Sequence, residues 1–264
     1  MMRLLPVVSL FSLLAAFVPS PAPAAVVATP VEYKAGDTAL SGWLVADPAV
    51  KTKRAGVLLI HDWMGATEHQ KAQAIRLAGL GYVVLVADVY GKGVRPTDAQ
   101  AAGAEAGKYY QDRALLRTRV NAGLDFLASR PNVDKDRLAV TGYCFGGLAA
   151  LELARSGAPV KAVVTFHGSL SAASPDDAKQ IVGKVLVLHG ADDPYVKQAD
   201  VTRFMDEMRA AGKDWQVVQY SGAVHSFTDD RAGTDNSKGA AYNATADRRS
   251  WEAMRDFLAE TLAR

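Results

Sequence analysis

Gly142-Tyr143-Cys144-Phe145-Gly146-Gly147 separates an apolar run, Leu138-Ala139-Val140-Thr141, from a helix-like run, Leu148-Ala149-Ala150-Leu151-Glu152-Leu153-Ala154. Strand, sharp turn and helix, with a nucleophile at the apex, make an elbow. The flanking glycines let the turn close and let another backbone approach. Cys144 is the only cysteine in the 264 residues, so no internal disulfide forms and the fold rests on its core. A lone cysteine is commonly a small buried hydrophobe. Its place between glycines, at the head of a helix that favours negative charge, points instead to a reactive thiol.

Outward from the elbow, the chain alternates strands and helices. Residues 31–46 read as a hairpin turning at Gly36-Asp37, with half-exposed antiparallel strands. Gly56–Ile60 and Tyr82–Ala87 are continuous apolar runs, as in strands buried on both faces. Further strands are expected at 138–142, 162–166, 185–188 and 215–220. Helices are expected at 68–80, over most of 97–129, at 198–211 and at 245–262. This order predicts an α/β fold, a mostly parallel central sheet with helices on both faces. No linker or internal repeat divides residues 25–264, which read as one domain. Residues 228–244 form the longest irregular stretch, the kind of loop that often carries function.

The N-terminus has a different character. Arg3, the apolar run Leu4–Val18 and Ala22-Pro23-Ala24 read as a secretory signal peptide over residues 1–24. The expected location is outside the cytoplasm, periplasmic or secreted. No later segment is long and apolar enough to span a membrane. The formal net charge of +2, without a basic cluster, excludes a nucleic-acid partner. No metal-ligand spacing and no phosphate-binding glycine loop occurs, so no cofactor is expected. The expected partner is a small molecule, and the expected assembly a monomer or small homo-oligomer.

A thiol attacks as a thiolate and needs a base held by an acid. His61, His167 and His189 each end a strand run, near the edge where open parallel sheets bind ligands. Packing or capping accounts for His167 and His189, and His69 falls on an exposed helix face. His225 follows the last strand and opens the long loop, from which it reaches the elbow. The acid is sought after the strand 185–188, in Asp192-Asp193-Pro194. Asp193 is the choice and Asp192 the fallback, because a residue before proline is held extended. Asp192 is assigned to the turn, by side-chain to backbone bonding. The order Cys144, Asp193, His225 is that of the elbow hydrolases. Two N–H groups must hold an oxyanion. Phe145, directly after the nucleophile, and Trp63, on the loop after Gly56–Ile60, are the candidates.

The elbow hexapeptide, Gly190-Ala191-Asp192-Asp193-Pro194-Tyr195-Val196 and His225-Ser226-Phe227 resemble the dienelactone hydrolase family of α/β-hydrolases. The resemblance covers nearly all of the chain after residue 24. It implies a Cys–His–Asp triad that cleaves an ester or lactone through an acyl-enzyme. It also implies a thiol-controlling acid, a Glu in the family, at the position of Asp62. Arginines that hold a substrate carboxylate in the family are replaced. Lys92 stands after the fourth strand and lacks the bidentate fork, and Asp229 after the histidine would repel an anion. Asp62, Lys92 and Tyr143 are therefore the candidates for contacting substrate or controlling the thiol, and neutral substrates are expected to be preferred. The alternative is a non-catalytic binding protein that retains the fold.

Overall fold

Period-two alternation sorts the strand side chains into two cores, one on each face of a single sheet. The computed structural model describes residues 26–263, so the expected signal peptide lies outside the described residues. The strands are β1 (Val27–Ala35), β2 (Thr38–Ala46), β3 (Arg54–Ile60), β4 (Val83–Ala87), β5 (Val133–Tyr143), β6 (Ala162–Phe166), β7 (Lys184–Gly190) and β8 (Trp215–Tyr220). Their order is β1-β2-β4-β3-β5-β6-β7-β8. The β1–β2 and β2–β4 pairs are antiparallel and all the others are parallel. This is the α/β-hydrolase arrangement expected from the sequence.

The helices are α1 (Glu68–Gly79), α2 (Ala99–Gln111), α3 (Arg113–Ala128), α4 (Phe145–Arg155), α5 (Gln198–Ala210) and α6 (Ala244–Thr261). Leu58, Ile60, Leu85, Val140 and Val163 pack on one face with residues of α2, α3, α4 and α5. Val57, Leu59, Val84, Val86 and Val164 pack on the other with α1 and α6. Each fully buried Val, Leu or Ile contributes about 1.5–3 kcal/mol. The central strands thus supply much of the stability on which the site rests. Every residue of α4 is buried, which explains why it is apolar almost all round.

Three boundaries differ from the sequence reading, and the first is β1, which starts at Val27, four residues before the expected hairpin. The helical stretch expected over 97–129 is two helices, broken at Asp112. That residue ends α2, and its carboxylate caps α3 by accepting from the Leu115 N–H at 2.8 Å. The elbow strand starts five residues before the apolar run. Val133 pairs with Arg54, and a register shift after Ala55 then carries Gly56 onto Leu138. Lys135, Asp136 and Arg137 fall in that irregularity, where a polar segment gives no periodic signal. No helix among the described residues is long and apolar enough to cross a membrane.

Candidate active site

Cys144 leaves β5 with φ +55° and ψ −115°, a conformation L-residues rarely adopt. Its N–H donates to the Phe166 carbonyl and its carbonyl accepts from the Gly147 N–H, both at 3.0 Å. The glycines on either side are a steric requirement. A Cβ on Gly142 would overlap the Gly146 carbonyl, and one on Gly146 would overlap the Ile60 carbonyl. The half-buried thiol is thereby held at the N-terminus of α4, where the sequence placed it.

The long loop delivers the imidazole. The His225 backbone N–H donates to Gly239 O at 3.2 Å and its carbonyl accepts from the Ala241 N–H at 3.0 Å, so the returning segment of the loop clamps its backbone. Its Nε2 lies 3.1 Å from Cys144 Sγ and its Nδ1 lies 2.8 Å from Asp193 Oδ2. A carboxylate only accepts, so Nδ1 carries a proton. The other oxygen of Asp193 accepts from the N–H groups of Tyr195 and Val196 at 2.8 and 3.1 Å. Asp192 is turned away and accepts from the Gly222 N–H at 3.0 Å. Burial opposes a charge on His225. Its hydrogen bonds to Asp193 and Cys144 outweigh burial and raise its pKa from 6.5 to about 10.

The loop after β3 faces this pair. Neither the Phe145 nor the Trp63 N–H has an acceptor among the described residues. The Trp63 carbonyl accepts from the Tyr90 hydroxyl at 2.9 Å, which steadies the loop. Asp62 is buried. One of its oxygens accepts from the Met64 N–H at 2.7 Å, the other from the buried Gln70 amide at 2.6 Å.

Two candidates are not brought to the site. Tyr143 ends β5 on the face of Ala139 and Thr141, so its ring enters the core and stacks on Phe166 at 4.5 Å. Burial pushes its phenol above the ordinary range. Lys92 turns to the edge of the sheet, with its ammonium 2.7 Å from Glu32 of β1. Asp229 is ion-paired, since Arg231 forks its carboxylate with two contacts of 2.8 Å. Burial works against the Asp229 charge, and the Arg231 bonds prevail and hold its pKa below the usual value. The same guanidinium lies 3.6 Å from Asp62. No sequence period announces Arg231, because it acts from an irregular loop on a residue far away in the chain.

The remaining histidines divide by burial. His61 accepts the Val89 N–H at Nε2 and faces the Asp62 carbonyl through Nδ1, so its role is packing. His167 meets the Thr228 hydroxyl at 2.9 Å and lies edge-on to His225, its ring centre 5.2 Å away. Burial lowers the pKa of His61, His167 and His189, which keeps charge off them near the site. His69 is not merely an exposed helix residue. Its ring nitrogen and carboxylate oxygens of Asp229 and Asp230 lie within 4.8 Å of one another, the one grouping among the described residues spaced to share a metal ion. Asp229 already serves Arg231 there.

Comparison with known proteins gives the same outline. The model of the dienelactone hydrolase family matches residues 41–262. An uncharacterized protein of Caenorhabditis elegans is 37% identical over 150 residues, which are 56% of this chain and 95% of that protein. A dienelactone hydrolase-like promiscuous phosphotriesterase from metagenomic libraries superposes with a TM-score of 0.86. It is 43% identical, over 90% of this chain and 99% of that one. The dienelactone hydrolase of Anabaena variabilis, 19% identical, shares the fold at a TM-score of 0.67 over 90% of this chain and 99% of its own.

Proposed function

The chain belongs to the dienelactone hydrolase family and is an ester or lactone hydrolase, and from that premise we propose that it works through Cys144, His225 and Asp193. The carrying observation is the continuous line from Sγ through the imidazole to the carboxylate, at 3.1 and 2.8 Å. The proton shared between Cys144 and His225 is held on the imidazole, as its raised pKa favours, and the thiolate attacks the carbonyl carbon. The Phe145 and Trp63 N–H groups hold the oxyanion. The C–O bond breaks and the alcohol leaves with the proton from His225, giving a thioester on Cys144. Water, deprotonated by His225, attacks the thioester. The acid departs and the thiol is restored. Asp193 holds the imidazole tautomer and stabilises its charged form.

The substrate of this reading is neutral around the scissile bond. The cations of the facing loops are already engaged: Lys92 with Glu32, Arg95 with Asp88, and Arg231 with Asp229 and Asp62. The likeness to a promiscuous phosphotriesterase extends the proposal to neutral phosphotriesters, attacked at phosphorus by the same thiolate. The protein is exported after cleavage following Ala24, a reading supported by Arg3, Leu4–Val18 and Ala22-Pro23-Ala24.

Turnover of short p-nitrophenyl esters tests the triad. Cys144→Ala and His225→Ala are expected to abolish it, and wild-type rates in both variants would remove the assignment. N-terminal sequencing of the protein recovered outside the cytoplasm tests export, with Ala25 expected first.

A further inference from the structure

Among the described residues, Trp63, Tyr110 and Tyr195 are the exposed large aromatic side chains. All three stand around Cys144. Trp63 offers an oxyanion amide, and the Tyr110 ring centre lies 5.9 Å from that of Phe145. Tyr195 is 62% exposed and stands edge-on to His225, the ring centres 5.4 Å apart at 87°. An aromatic ring left this open contributes little to the core, so folding does not account for it.

Tyr195 is nevertheless held in place. Its N–H is bound by Asp193, the same carboxylate that orients His225. Its ring lies against Gly239, where a Cβ would come 2.9 Å from the phenolic oxygen, and Gly239 has φ +81°. The ring is therefore held beside the acid and base, with most of it open to solvent. In any ester cleaved here, the leaving oxygen must come within hydrogen-bond reach of His225 Nε2. A ring one or two bonds from that oxygen falls beside Tyr195.

We propose that Tyr195 is a stacking platform for the alcohol part of the substrate, and that this alcohol is an aryl group. The inference rests on the triad reading given above and adds the class of leaving group. Offset or edge-on aromatic pairing of this kind is specific to π systems and is absent for an aliphatic group of like size.

Phenyl acetate and hexafluoroisopropyl acetate have alcohols of similar acidity, and one of them is aromatic. For the wild-type protein, kcat/KM is expected to favour phenyl acetate by about three- to tenfold, the range of one aromatic pair. Tyr195→Phe keeps that ratio, and Tyr195→Leu brings it to about one through loss of the phenyl ester alone. A wild-type ratio near one overturns the inference. So does a Tyr195→Leu variant that keeps the ratio, or one that loses both esters together, because that is the mark of a positioning role. Cys144→Ala is run beside them. If it matches wild type, or if wild type cleaves neither activated ester, the triad reading itself fails.

Discussion

The Arg231 guanidinium stands 3.6 Å from the Asp62 carboxylate, joining the loop that carries His225 to the loop that carries Trp63. Arg231 is itself held by the two oxygens of Asp229. Asp62 in turn shapes its own loop through the Met64 N–H. The pair therefore connects the base side of the site to the oxyanion side.

Arg231→Gln is expected to lower kcat/KM for a neutral p-nitrophenyl ester by no more than about fivefold, since partly exposed ion pairs are worth up to about 1 kcal/mol. Oxidation of Cys144 by dilute peroxide, followed as loss of iodoacetamide-reactive thiol, is expected to quicken in the same variant. Unchanged rates in both assays would show that the pair neither orders nor shields the site.

Asp192 and Asp193 are neighbours in sequence, and only Asp193 meets the imidazole. Asp193→Asn is expected to cost about 10³- to 10⁴-fold in kcat, the scale seen when a triad acid stops holding its histidine. Asp192→Asn is expected to leave kcat within about twofold, because it loses only a turn contact to Gly222. Steady-state kinetics of the two variants at one pH separates these roles.

His225 links the site to stability. Its pKa rises from 6.5 to about 10 on folding, so its charged form stabilises the native state. That contribution is fully present below about pH 6.5 and is lost as pH rises through about 10. The Tm difference between wild type and His225→Gln is expected to favour wild type most near pH 6 and to shrink steadily towards pH 10. A difference that grows over this interval would reverse the sign of the argument.

Gly146→Ala is expected to destabilise the protein by roughly 3 kcal/mol or more, seen as a lowered Tm or lost soluble expression. The added Cβ would meet the Ile60 and His61 carbonyls of β3 and the loop after it, and backbone cannot step aside as a side chain can. Gly107→Ala, on α2 with open space around it, serves as the control and is expected to fold normally.

The strand pattern was readable because buried parallel strands are continuous apolar runs. Gly56–Ile60, Ala162–Phe166 and Val185–Leu188 appear in the fold almost as the residues predict them. The elbow was readable because its geometry admits so few residue types. Asp193 and His225 stood out by order and by their places after β7 and β8. The polar start of β5 did not, since Lys135–Arg137 interrupt the apolar signal.

Side-chain direction and pairing across the chain were not written in that pattern. Tyr143 sits beside the nucleophile in sequence, yet strand alternation sends its ring into the core. Lys92 carries the right charge, yet Glu32 on the edge strand holds it. Arg231 and Tyr195 gain their positions only when loops distant in sequence close over one sheet edge. Which elements form, and which residue types carry the chemistry, follow from the order of the amino acids, because periodicity and backbone sterics are local. Which side chains meet, and which charges are already cancelled, was decided by the tertiary structure. Coulomb and hydrogen-bond partners depend on distance in space, and the chain folds residues 62, 144, 193, 225 and 231 into one place.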